Sequence, residues 1–204
     1  MGILSGAMSV KRFSFEGQIP DNFREDWRTA LNDHAFLDSD LEQGKEEREG
    51  WVLAHDLLES SFADLNQWLY NDILIFALRV DKKSLPANLF KATVQKEVRF
   101  WCEERSVERC PKAQKDEIKD RIEQQWLKRT LPRVQLTEVC INITEKWVLV
   151  HSQSANTLER VRKRFFQTFG LKLEPWSPME WIDVPDLVDG LMGQAPSVLG
   201  ERGE

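Results

Sequence analysis

Glycine is sparse, at 10 of 204 residues, and no Gly-rich phosphate loop is written anywhere along the chain. Cysteine is scarcer still. Cys102, Cys110 and Cys140 are odd in number and lack Cys-x-x-Cys spacing, which argues against a disulfide framework and against a zinc site. No histidine stands near Cys102 and Cys110 to complete a metal shell, so all three read as reduced, structural thiols. Neither Gly-x-Ser-x-Gly nor His-Glu-x-x-His occurs. Asp38-Ser39-Asp40 is the one Asp-x-Asp, but it lies in an acidic stretch without a histidine and reads as a solvated turn. His34, His55 and His151 fall on separate elements. His151 ends a strand beside Ser152 and Ser154, where a pairing with Cys140 stays open against the ordinary structural reading. Glu46-Glu47 and Glu103-Glu104 are neighbours in sequence, which suits solvated faces better than a shared proton. No apolar run approaches the roughly 18–20 residues of a membrane span. The opening segment has no basic region followed by a long apolar one, as a secretory signal would. The expectation is a cytoplasmic protein with no catalytic residue, no metal and no cofactor, and binding fits better than catalysis.

What is present is core material and charge. Hydrophobic residues make up 41%, and 8 Trp and 11 Phe stand against a single Tyr, enough to bury a real core. The net charge of -6 hides a segregation. From Ser14 to Asp72 acidic residues outnumber basic ones by 15 to 4; from Pro86 to Arg133 there are 12 Lys and Arg against 8 Asp and Glu. A second basic cluster, Arg160, Arg162, Lys163, Arg164 and Lys172, faces Glu159 alone. Phosphate binding responds to local potential, so an acidic protein with gathered cations remains a candidate for nucleic acid. The plainer alternative is that the basic helices face acidic neighbours in the fold or in a partner.

Periodicity organises the chain. Val10–Phe15 alternates as an opening strand does, and Pro20-Asp21-Asn22 starts a helix with Phe23, Trp27, Ala30, Leu31 and His34 on one stripe. Asp38–Glu49 is an acidic loop, after which Gly50-Trp51-Val52 returns to extended structure. Asp64–Tyr70 and Asp72–Val80 read as paired strands. The apolar run Ile73–Leu78 has the pattern of a central strand buried on both faces. Pro86 and Pro111 bracket two helices, Leu89–Arg109 and Lys112–Arg129, the first with Leu89, Thr93, Lys96/Glu97 and Phe100/Trp101 in phase. Its partner carries only a thin stripe of Ile118, Ile122 and Gln125/Trp126, so the pair is expected to project from the domain. Arg133–Ile143 and Lys146–His151 form a hairpin. Ser154–Phe169 is the clearest helix, with Leu158, Val161, Phe165 and Phe169 inward, Gly170 at its end, and Arg160, Lys163, Arg164 and Gln167 on an exposed face. Lys172–Trp176 supplies a last strand. The order is β-α-β-β-α-α-β-β-α-β: an α+β fold, an antiparallel sheet with packed helices and a projecting two-helix insertion. Residues 8–85 and 131–182 are expected to form the core domain, 86–130 the inserted tip, and 190–204 a flexible tail. Gly6-Ala7-Met8 reads as a cloning scar, with 1–7 a tag remnant.

Several short motifs in this order resemble the recombination-associated RdgC family. They are Ala35-Phe36, Gly50-Trp51-Val52, the strand Asn71–Val80 with Arg79, then Lys83, Leu85 and Pro86, the Lys-rich entry Lys112–Asp120, Leu131-Pro132-Arg133, the helix from Ser154-Ala155, and Phe169-Gly170. The likeness spans roughly Val10 to Pro178. It implies an α+β homodimer that closes into a ring around double-stranded DNA without strong sequence preference and restrains the recombinase RecA by occupying its DNA. The helical pair would meet its counterpart across the ring. Two motifs depart: the family's Leu-Pro-Arg-Ala-Phe is Leu131-Pro132-Arg133-Val134-Gln135 here, and Gly-Trp-Val-Pro-Pro is Gly50-Trp51-Val52-Leu53-Ala54. The family also continues into a further domain that helps close its ring.

The resulting expectation is a non-enzymatic, sequence-independent DNA-binding protein, a homodimer or higher oligomer, acting in recombination or replication and associated with the nucleoid. The alternative is a protein-interaction module on the same fold. Arg160, Lys163 and Arg164 are the first candidates for phosphate contacts, because cations at helical spacing neutralise phosphates without reading bases. Lys112, Lys115, Lys119, Arg129 and Arg133 come second.

Overall fold

Alternation at the N-terminus and the long apolar run in the middle both become strands of one sheet. The computed structural model describes residues 8–37 and 47–177, together with Leu187, Asp189, Gly190 and Gly193. The segments 1–7 and 194–204, the Asp38-Ser39-Asp40 turn and residues 178–182 of the expected core lie outside the described residues. The sheet is antiparallel and seven-stranded. Its main path runs β2 (Glu47–Leu53), β4 (Ile73–Lys82), β5 (Arg133–Asn142), β6 (Trp147–Val150), β1 (Lys11–Glu16), β7 (Lys172–Pro175), and the short β3 (Leu69–Tyr70) pairs with β4 beyond the end of β2. β4 is an interior strand, second from the β2 edge and not at the centre as its unbroken apolar run suggested, and every residue from Leu74 to Asp81 is buried.

Helices α1 (Phe23–Asp33) and α4 (Ala155–Phe169) cover one face. Period two puts Leu74, Phe76, Leu78 and Val80 of β4 on that side, with Phe13 and Phe15 of β1 and Val139 and Ile141 of β5. Trp27, Leu31, Val161 and Phe165 come down from the helices. Burying each side chain of this size stabilises by about 1.5–3 kcal/mol relative to exposure. Aromatic edges lock the layer: Trp27 and Phe169 are 4.8 Å apart, as are Phe165 and Phe169. α4 begins after Ser154 and ends on Gly170, whose φ of 68° is the left-handed conformation that relieves the last carbonyls.

The other face of β4 carries polar groups that the fold satisfies internally. Arg79 donates to both carboxylate oxygens of Asp81 (2.9 and 2.7 Å) and to the carbonyl of Leu57, and stacks 4.0 Å over the ring of Phe36. Phe36 reaches it because residues 35–36 add to the edge of β2, with Phe36 N–H donating to the Trp51 carbonyl at 2.9 Å.

Helices α2 (Ala87–Glu104) and α3 (Lys112–Arg129) interrupt the β4–β5 connection and enclose a separate apolar cluster: Val94, Ile118 and Ile122, flanked by Phe90, Val98, Trp101, Cys110 and Trp126. At their root the Lys83 ammonium donates to the Leu127 carbonyl at 2.8 Å. Three details differ from the sequence reading. The buried seam of α2 runs through Phe90 and Val94 and on to Trp101, leaving Leu89 and Phe100 outward, because that is the phase at which α2 meets Ile118 and Ile122. α2 stops at Glu104, not Arg109, and Ser106 takes a φ of 51° in the turn before Pro111. The strand expected from Asp64 is only Leu69–Tyr70, because the Asp64 side chain caps a 3-10 turn by accepting from Asn66 N–H at 3.0 Å.

Candidate nucleic-acid interface

The eight cations singled out from the sequence divide into two groups. Arg160 and Arg164 point sideways from α4 onto the edge strand β2. Arg160 pairs closely with Glu47 and lies 3.0 Å from the Glu49 carboxylate; Arg164 donates at 3.0 Å to both the carboxylate and the carbonyl of Glu49. The Arg164 side chain is only 17% exposed. The expected open basic face of α4 is therefore corrected: spacing of i and i+4 places both arginines on the flank beside β2, whose Glu47 and Glu49 project to the same side. The Glu47 carboxyl is held below its ordinary 4.5, first by the Arg160 hydrogen bond. Arg160 is shifted up in turn: burial alone would lower it, and the two glutamates outweigh that.

Lys163, Lys112, Lys115, Lys119, Arg129 and Arg133 form the second group. All six are exposed, and no ion pair engages them among the described residues. Lys112, Lys115 and Lys119 share one face of α3 at i, i+3 and i+7. Arg129 ends that helix, and Arg133 opens β5 opposite Lys82. The unpaired charge thus gathers on the helical insertion and its root, with Lys163 apart on the outer face of α4.

Beside the root lies a groove of about 460 Å³ between the first turn of α4 and the ends of β2, β4 and β5. Lys82, Arg133, Thr137, Asn156, Thr157 and Arg160 line it, with Glu47 as its carboxylate. Sequence reading missed Lys82, Thr137 and the two α4 residues, because the groove draws on separate elements. Arg133 and Arg160 were legible as cations, but no local pattern brought them together in a groove.

Elsewhere the chemistry is quiet. Cys140 is buried, and burial pushes its thiol up to about 11, the reverse of what a nucleophile requires. Cys110 is also shifted up, by desolvation first and then by the neighbouring Cys102. Among the described residues no group of three or more His, Cys, Asp or Glu side chains is placed to hold a metal ion. None of their helices is long and apolar enough to cross a membrane.

A family model described as "Putative exonuclease, RdgC" matches residues 4–183, which is most of the chain. The chain belongs to the RdgC family. No curated protein matches it. Several of the motifs on which the resemblance to the RdgC family rested have structural tasks. A Cβ on Gly50 would stand 2.4 Å from the backbone of Phe36, so only glycine lets the 35–36 segment add to β2. Trp51 is fully buried, meets Phe76 edge-on at 4.9 Å, and donates its indole N–H to the Thr168 hydroxyl at 2.8 Å. Arg79 is consumed by Asp81. Arg133, by contrast, is a motif residue left open to solvent.

Proposed function

We propose that this protein is a non-enzymatic, sequence-independent DNA-binding protein that works in recombination or replication. In this reading it acts as a homo-oligomer on the nucleoid and restrains RecA by occupying DNA. Family membership supports the setting. The observation that carries the DNA reading is the set of six exposed cations without an ion pair among the described residues, five of them on α3 and at its root. Such a set attracts a phosphate backbone through counterion release and holds no fixed array of donors for base edges. Leu89, Phe100 and Leu131, respectively 59%, 57% and 88% exposed on or beside the insertion, support self-association there.

The same exposed apolar residues favour the second reading, a protein-interaction module that never touches DNA. The two separate by salt. Binding of labelled duplex DNA through phosphates weakens steeply as salt rises, while an apolar interface holds. Incubating the protein with linear DNA and Mg²⁺ or Mn²⁺ tests the non-enzymatic claim. DNA of unchanged length is the expected result, and shortening from the ends would overturn it.

A further inference from the structure

The groove at the start of α4 has features that the DNA reading does not require. Ser154 occupies the N-cap position of this 15-residue helix, yet its side chain makes no capping bond. The N–H groups of Asn156 and Thr157, which such a cap normally takes, are left without it, and the helix dipole adds positive potential at that point. The second observation comes from the floor of the groove. Thr137 lines it at 2% exposure, and its hydroxyl has no hydrogen-bond partner among the described residues. That hydroxyl is not sealed off from the groove, so it can donate to an acceptor bound there. Arg133 and Lys82 flank the opening, paired with each other across β5 and β4. Glu47 is already engaged, by Arg160 and by Lys82 at 3.4 Å, so the unanswered charge facing the groove is positive.

We propose that this groove is an oxyanion site that takes a phosphate group, held by the Asn156 and Thr157 N–H groups, the Thr137 hydroxyl and the Arg133 guanidinium. Donors converge from a helix end, a sheet floor and a flanking cation, which suits a tetrahedral anion with several acceptor oxygens better than a single carbonyl. The phosphate is either one unit of a nucleic-acid backbone or free inorganic phosphate. The first source rests on the DNA reading above; the site itself does not.

The test uses the full chain labelled with ¹⁵N, titrated with inorganic phosphate at constant ionic strength against chloride. Asn156 and Thr157 amides are expected to shift saturably. Arg133→Gln should weaken phosphate roughly tenfold, and Thr137→Val about fivefold, in line with charged and neutral hydrogen bonds. Arg133 is exposed, so its variant keeps the test valid if Thr137→Val misfolds. A short duplex is the second arm. The same amides moving with duplex and with phosphate supports the site with DNA as its source, and movement with phosphate alone supports it with free phosphate. Amides that ignore phosphate, or respond equally to chloride, overturn it, even where anisotropy shows the duplex bound elsewhere.

Discussion

Replacing Arg164 by Gln separates a structural cation from a DNA contact. The guanidinium gives one charge-assisted bond to the Glu49 carboxylate and one to the Glu49 carbonyl, both at 3.0 Å. Removing one partner of a fully buried pair costs about 3–5 kcal/mol, because the survivor is left uncompensated. Here the side chains are 17% and 26% exposed, and Arg160 still lies 3.0 Å from Glu49. Water and the second arginine reduce the loss to about 2 kcal/mol. For a chain of this size that lowers Tm by about 4–8 °C, measured by circular dichroism. Arg164→Glu sets a third carboxylate beside Glu47 and Glu49 and should lower Tm further. In the folded range, affinity of Arg164→Gln for duplex DNA should stay within about twofold of the parent, since a cation neutralised inside the protein releases no counterions. Unchanged Tm with a tenfold loss of DNA affinity would refute this reasoning and return Arg164 to the phosphate-contacting set.

The remaining predictions concern charge and close packing. Glu47 ionises below its ordinary 4.5 in the folded protein, so the stability it contributes is present above pH 4.5 and drains away as pH falls through the folded value. Glu47→Gln should accordingly flatten that part of the acid limb in a series of denaturation curves; an identical acid limb would contradict the Arg160 pairing. Gly50→Ala drives a Cβ into the Phe36 backbone and should cost about 3 kcal/mol or prevent folding, read by urea denaturation. Thr168→Val strips the buried Trp51 indole of its acceptor and should cost about 1–3 kcal/mol, with a shifted Trp fluorescence; parent-like stability would show that the bond is dispensable.

The sheet was legible because its strands announce themselves by period. The apolar run Ile73–Leu78 demanded burial on both faces and became a buried interior strand, one place in from the β2 edge, and Gly170 closed α4 as a C-terminal glycine should. The α2 seam was misphased because Leu89 and Phe100 are as apolar as Phe90 and Val94, and only contact with α3 chooses between the two stripes. The arginines of α4 were misread for a related reason. Helical spacing shows that Arg160 and Arg164 share a side of α4, but not that β2 lies against that side carrying Glu47 and Glu49 from far away in sequence. Both alternatives for basic helices, phosphate or an acidic neighbour, were readable from charge segregation. For these two residues the structure places the acidic neighbour alongside, while Lys112, Lys115 and Lys119 make no ion pair among the described residues. The groove was invisible for want of any local pattern, since Thr137, Arg133 and Asn156 meet only through sheet register and helix placement.

The most direct test is the anisotropy of a labelled duplex across a salt series, comparing the parent with Lys112→Gln/Lys115→Gln/Lys119→Gln. If the unpaired cations of the insertion meet the DNA backbone, the parent binds with a steep log–log salt slope, and the variant loses up to about 0.9 from that slope for each lysine in contact. A parent that fails to bind at low salt, or a variant whose slope and affinity match the parent's, would contradict the account.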